Sequence, residues 1–293
     1  PEWDYRSQVL KKGWCTLKER ENAAGSVEKI EKIFYSHKNT LNRLRYIAKK
    51  LRTQKQQRVR KMEEGDDIDF DPMVNAMVAI RMKQPPDTAV FIRDEYRHTK
   101  TFAISILLDL SESTNTMVTA TNMSVSQMIR DAVLLLGETL SIAGEKFSIA
   151  GFSSNGRHEI DFIKFKAFSE TFAESKARLA DIQGKHSTRL GTAVRHNAEY
   201  LVKQQASKKL LLIITDGKPS DIDVYDPDYL DHDCKHAVNS LSRLGIKPFC
   251  LNLDSRSDPV IEHIFGRSRY ETLEQLIHLP DVLSRIYMRY GRH

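Results

Sequence analysis

The sequence predicts an α/β fold: a doubly wound, mostly parallel sheet with one antiparallel edge strand, preceded by a helical N-terminal region that carries a long basic helix. Three observations point there. The apolar runs Phe102–Leu108 and Leu210–Thr215 each lead directly into an aspartate, as buried parallel strands do when they end at a polar crevice. From residue 101 onward strand-like and helical stretches alternate, which indicates βα units and a parallel sheet. Asn155-Gly156 joins two further strand-like segments, a strong hairpin signal that turns one strand antiparallel.

The elements follow in order. Residues 26–64 read as one long helix: Ser26 suits its start, Gly65 its end, and no Gly or Pro interrupts it. Val27, Ile30, Phe34, His37, Leu41, Leu44, Ala48 and Leu51 fall on a seven-residue repeat that makes one apolar seam, turning polar at Lys55 and Arg58. Twelve Lys and Arg against four Glu make the outer face basic, either as a solvated face packed through its seam or as a docking surface for an acidic partner. The acidic turn Asp66 to Asp71 offers cap chemistry, because the Gly and Glu of a calcium loop are misplaced. Pro72–Ile80 reads as a short helix, Pro85-Pro86 as a break, Ala89–Ile92 as a strand and Arg93 to Lys100 as a charged turn. Residues 1–100 are thus expected to form a helical region and 101–293 the α/β domain.

Within that domain Thr101–Leu108 is the central strand and Ser126–Ile142 the first helix. Lys146–Phe152 and Glu159–Phe165 are the hairpin strands, followed by helices near Ser169–Asp181 and Leu190–Gln205. Then come the strand Leu210–Thr215, the helix Asp231–Leu244, the strand Lys247–Leu253, and helices at Pro259–Phe265 and Leu273–Arg289.

In open α/β sheets ligands sit beyond the carboxyl ends of the strands, so Asp109, Ser111, Ser113 and Asp216 are expected in one crevice. Carboxylates and hydroxyls converging there suit a hard cation. A loop opening the helix at Leu190 would complete the set, with Thr188 as the natural remaining ligand. A cation bound mainly by neutral oxygens stays electron-poor and attracts an external carboxylate. That makes a docking site for an Asp or Glu of another molecule.

Asp109-x-Ser111-x-Ser113, then Thr188-x-x-Gly191, then Asp216-Gly217 resemble the metal-ion-dependent adhesion site (MIDAS) of von Willebrand factor A domains. The resemblance implies a Rossmann-like fold and Mg²⁺, with Mn²⁺ or Ca²⁺ as substitutes, held by Asp109, Ser111, Ser113, Thr188 and Asp216. Aligned on Gly191 and Ala193, it puts Thr188 rather than Thr192 in the ligand role, and Leu190 stands where a second threonine is usual. The stretch from Thr215 to Cys234, together with Phe249-Cys-Leu-Asn-Leu-Asp254, resembles a bacterial subgroup, the CbbO-type Rubisco activase subunit and the NorD-type protein of nitric oxide reductase activation. Tyr225 to Leu230 and Phe249 to Asp254 favour the Rubisco-activating branch. That branch implies a non-catalytic adaptor in the cytoplasm, with carboxysome association. It would work with a hexameric MoxR-type AAA+ ATPase and hold Rubisco by a surface Asp or Glu while inhibitory sugar phosphates are released. Activation of nitric oxide reductase is the alternative, and this region corresponds to the C-terminal part of a longer protein. Glu112, Asp221 and Asp223 are candidates for a partner-binding rim; Asp221 and Asp223 begin an acidic run through Asp233 that reads equally well as loop and helix-cap chemistry.

Composition narrows the alternatives. With 293 residues and 40% hydrophobic content the chain can bury a substantial core. Cys15, Cys234 and Cys250 lie far apart, which argues against a zinc ribbon and a secreted disulfide framework. No apolar run approaches the ~20 residues a membrane span needs. Net charge is +6, but no aromatic interleaving or known module supports nucleic-acid binding. Gly217-Lys218 lacks the rest of a phosphate loop, and no nucleophile elbow surrounds Ser111 or Ser113, so a nucleotide-binding or hydrolytic role finds no motif. His232, Cys234 and His236 read as ordinary residues of a helix start, because i and i+2 positions face apart.

Overall fold

The computed structural model describes residues 1–53, 56–65, 67–96, 102–118 and 123–291. Contacts divide the chain into two compact units, Pro1–Ile47 with Thr101–His293, and Ala48–Lys100.

The larger unit is built on a seven-stranded sheet among the described residues. Its strands are β1 (Leu17–Glu21), β2 (Phe102–Asp109), β3 (Lys146–Ser154), β4 (Ile160–Lys166), β5 (Lys208–Thr215), β6 (Ile246–Asn252) and β7 (Tyr270–Thr272). They lie in the order β7-β6-β5-β2-β3-β4-β1. From β7 to β3 all neighbours are parallel; β4 turns antiparallel to β3, and β1 runs parallel to β4. The sheet therefore has two reversed strands, and the edge belongs to β1 rather than to the expected hairpin strand. The reason lies in the open edge of β4, whose unpaired backbone groups β1 covers. β1 itself is short and charged, Leu-Lys-Glu-Arg-Glu, which protects the new edge but hides the strand from a search for apolar alternation.

Side chains alternate across the sheet with the period of two that strands impose. Ile104, Ile106 and Leu108 face one layer with Leu210, Leu212 and Ile214, while Ala103, Leu107, Leu211 and Ile213 face the other. The first layer contains α1 (Val27–Ser36), the start of α2 (Lys38–Thr53), α3 (Val125–Ile142) and, further along the chain, the helix Leu279–Gly291. The second contains α4 (Leu190–Val202), α5 (Tyr229–Ser240) and α6 (Asp258–Phe265). Ser124 and Gln127 close a reciprocal capping box at the start of α3.

Two expectations about the first hundred residues are corrected. The long helix over 26–64 is broken at His37, ends at Thr53, and gives way to the strand Gln56–Met62. That strand pairs with Phe91–Tyr96, so tertiary pairing overrides a stretch with good helical propensity. The boundary near residue 100 also shifts, because residues 1–47 pack with the sheet: Ile30, Ile33, Leu41 and Leu44 join the core beneath α3, and His37 meets Asp131 at 3.0 Å. Of the expected seam, Ile30, Leu41 and Leu44 are core and Val27 is exposed, while Ile33, outside that seam, is buried with them. Asp66 and residues 97–100, parts of the expected acidic and charged turns, lie outside the described residues.

The smaller unit holds a three-stranded antiparallel sheet, with Phe91–Tyr96 between Gln56–Met62 and Asp67–Ile68, and the helix Phe70–Arg81. Among the described residues no helix is long and apolar enough to cross a membrane.

Ile106 and Leu107 are both fully buried but face opposite layers of the central strand. Ile106→Ala and Leu107→Ala are each expected to lower unfolding free energy by about 2–5 kcal/mol, read from urea denaturation, since each leaves a cavity in a packed layer.

Candidate metal centre

β2 is the point at which the strand order turns, with β3 on one side and β5 on the other. The loops leaving β2 and β5 diverge there, and the crevice between them holds the candidate site. Asp109, the last residue of β2, is 1% exposed. Its Oδ1 accepts the backbone N–H of Ser111 at 3.0 Å and the Thr188 hydroxyl at 3.2 Å. Its Oδ2 accepts the Thr215 hydroxyl at 2.7 Å. Ser111 and Ser113 hydroxyls lie 2.9 Å apart, and Ser113 hydrogen-bonds the half-buried Asp216. The structure thus brings Asp109, Ser111, Ser113, Thr188 and Asp216 together.

The loop bearing Thr188 is threaded between the other two. Lys185 N–H donates to Leu110 O at 2.7 Å, and Glu112 N–H donates to His186 O at 2.7 Å. Ser154 and Ser187 exchange backbone hydrogen bonds, and Thr188 N–H reaches Ser220 O at 2.8 Å. Gly184 makes this approach feasible, because a Cβ there would fall 2.3 Å from Ser111 O and from Thr114 Oγ1. Gly191 serves the next turn in the same way: a Cβ would lie 2.1 Å from the buried Asp233 carboxylate.

Behind Thr188 stands a residue that motif reasoning passed over. Arg189 is 1% exposed, and its guanidinium binds Glu2 at 2.6 Å, Asp221 at 2.8 Å, and Asp223. Burial alone would lower its pKa; the carboxylates Glu2, Asp221 and Asp223 outweigh that and raise it. Asp221 also accepts Gly156 N–H at 2.9 Å, and Asp223 accepts Arg157 N–H at 3.0 Å. Asp221 and Asp223 therefore serve as counter-charges for Arg189, Asp221 buried and Asp223 at the surface. The rest of the acidic run is likewise partnered: Asp226 with Tyr5 and Arg6, Asp228 and Asp231 with Lys218, and Asp233 with Arg195. Glu112, in a short 3-10 turn beside Ser111, is exposed, as is Asp223, whereas Asp221 is buried.

His232 and His236 sit one helical turn apart on α5, stacked on Tyr5 at 4.3 Å and on Trp3 at 4.2 Å, while Cys234 is buried in the core. Their role is to seat the N-terminal hairpin, strands Glu2–Asp4 and Val9–Lys11. All three cysteines are free thiols.

The donor chemistry fits a hard divalent cation. Among the described residues no group of three or more His, Cys, Asp or Glu is arranged to hold a metal ion, and the oxygen set at the crevice is two carboxyls plus three hydroxyls. Burial pushes both carboxyls up, and the neighbouring Asp109 charge helps carry Asp216 to about 7. A dication facing the pair reverses that penalty, and two carboxylates leave it without surplus negative charge.

Two outcomes follow from these charges. In the metal-free chain Asp216 holds a proton up to about pH 7, whereas its ordinary value is 3.8. The stability from that difference is complete below pH 3.8 and is lost as pH rises through about 7. Mg²⁺ competes with the same proton, so calorimetric titration is expected to show affinity rising up to about tenfold per pH unit below 7 and levelling above it, with Asp216→Asn flattening the profile. Arg189→Met strands Glu2 and Asp221 as buried charges, and is expected to cost about 3–5 kcal/mol in chemical denaturation.

Comparison with known proteins agrees with this architecture. Residues 103–281 match the family model described as von Willebrand factor type A domain. A Pseudomonas aeruginosa protein described only as uncharacterised is 29% identical over 293 residues, covering 100% of this chain and 47% of its own length. Protein NorD of Stutzerimonas stutzeri is 30% identical over 276 residues, covering 94% of this chain and 44% of its own. Protein NorD of Brucella melitensis is 28% identical over 291 residues, covering 98% and 44%. The chain thus spans less than half the length of these relatives. Among solved structures, the vWF domain of the type V pili tip protein Mfa5 from Porphyromonas gingivalis has a TM-score of 0.53 at 8% identity, covering 67% of this chain and 98% of that one. The PilB minor pilin from Streptococcus sanguinis has a TM-score of 0.52 at 15% identity, covering 66% and 63%. With its strand order, its crevice at the end of β2 and a family match over residues 103–281, the chain belongs to the von Willebrand factor type A domain family.

Proposed function

We propose that this chain is a cation-dependent protein-docking module that captures an Asp or Glu of a client protein, as the adaptor of a MoxR-type AAA+ remodelling assembly. The observation that carries the reading is the convergence of only two carboxyls with three hydroxyls at the crevice. Asp109, Ser111, Ser113, Thr188 and Asp216 would hold Mg²⁺, which supplies an open position and residual positive charge for an external carboxylate. Asp109, fixed by Ser111, Thr188 and Thr215, orients the three loops. Ser113, exposed at the mouth, lies where a client approaches. No nucleophile elbow surrounds Ser111 or Ser113 in the sequence, which favours docking over hydrolysis.

For the client, the relatives named NorD favour the nitric oxide reductase branch, with activation or assembly of that enzyme as the outcome. Rubisco, favoured by Tyr225 to Leu230 and Phe249 to Asp254, is the second reading.

The test places Asp109→Ala and the double variant Ser111→Ala, Ser113→Ala in the full-length protein with its ATPase, after cooperative unfolding shows that each is folded. Nitric oxide reductase turnover and reactivation of inhibited Rubisco are measured side by side. We expect reductase activation with the parent and at least a tenfold loss with both variants. Equal activity in all forms removes the metal site from the mechanism. Rescue of Rubisco alone transfers the client assignment while keeping the docking chemistry.

A further inference from the structure

At the end of the sheet remote from Asp109 lies a second cavity, of about 470 Å³, bounded by β3, β4, the turn after β4 and the helix α4. Lys146 on its far rim pairs with Ala103, whereas Phe152 pairs with Asp109, which puts that lysine about 20 Å from Asp109 at ~3.3 Å per residue. Its walls combine apolar surface, Phe162 among it, with three lysines, Lys146, Lys164 and Lys166.

The polar groups are unevenly satisfied. Lys164 is paired with Glu19. Among the described residues no carboxylate lies within ion-pair distance of Lys146 or Lys166. Lys166 is only 4% exposed; its ammonium donates to Phe147 O at 2.7 Å and Ala167 O at 3.0 Å and lies 4.2 Å from the centre of the Phe147 ring, so it offers a ligand mainly its charge, which Glu170 partly offsets. Burial pushes this lysine down to about 8. Asn197, 1% exposed, accepts from Ser105 through Oδ1 at 2.9 Å, but its buried Nδ2 has no partner. A buried amide donor left unpaired is costly, so a group that accepts from it would be bound with gain.

We propose that this cavity binds a small organic anion with a flat or apolar body, its charged group at Lys146 and Lys166 and a hydrogen-bond acceptor at Asn197. The volume lies in the range of small-molecule sites, and the mixture of apolar wall with a few polar anchors is what such ligands require. The site is independent of the metal crevice and of the client it takes.

The experiment is a fluorescence titration of the whole chain with 8-anilinonaphthalene-1-sulfonate, a flat apolar anion, beside its uncharged counterpart N-phenyl-1-naphthylamine. The variants are Lys146→Glu, at an exposed rim position, and Lys166→Met, at a buried one, each checked for cooperative thermal unfolding. We expect one saturable sulfonate dye per chain, at least tenfold weaker binding in each variant, and at least tenfold weaker binding of the neutral dye. Equal binding by the variants, equal binding of the neutral dye, or uptake of several dyes without saturation overturns the proposal. Should Lys166→Met fail to fold, Lys146→Glu and the neutral dye decide.

Discussion

The buried Arg189 guanidinium holds the working end of this domain together. It is adjacent in sequence to Thr188 and binds Glu2 from the N-terminal hairpin and Asp221 and Asp223 from the loop that follows Asp216. Asp221 and Asp223 in turn fix the backbone of Gly156 and Arg157 in the hairpin between β3 and β4. One side chain thus ties together segments remote in sequence around the loop that must present a hydroxyl to the crevice. Arginine suits the task because its planar fork stays charged and reaches several carboxylates at once. A buried cation of this kind is tolerated only when fully paired, so position and charge balance are enforced together.

The same economy of charge shapes the metal crevice. The acidic run from Asp221 to Asp233 would surround the site with negative potential if it were free, and would repel a client carboxylate. Instead Arg189, Arg195, Lys218 and Arg6 pair with its members and offset much of that charge. What remains at the mouth is Asp109, Asp216 and a set of hydroxyls, a site poor enough in negative charge for a bound cation to attract an anion. Thr215, which donates to Asp109 Oδ2, further disperses the charge of the more deeply buried of the two crevice carboxyls.

The helix α4 links the two ends of the domain. It starts directly after the loop that carries Thr188 and Arg189, and further along it Asn197 lines the distant cavity. The intervening residues Ala193 and Val194 are fully buried against the sheet. The helix is therefore held as a rigid strut rather than as a hinge.

Much of the fold and the site was legible in the residues themselves. Apolar runs ending at Asp109 and Asp216 marked buried parallel strands, Asn155-Gly156 marked the reversal, and the Asp, Ser and Thr spacing marked the crevice, because period and turn chemistry are local properties. Tertiary structure decided the rest. The charged segment Leu17–Glu21 is a strand only because β4 offers it an edge, and Gln56–Met62 is a strand only because Phe91–Tyr96 pairs with it. The partner of Asp221 and Asp223 was not legible until folding placed a guanidinium from position 189 and a carboxylate from position 2 beside them. Backbone preferences and turn signals are written in neighbouring residues, whereas strand edges and ion-pair partners are set by segments far apart in the chain, and only packing brings those together.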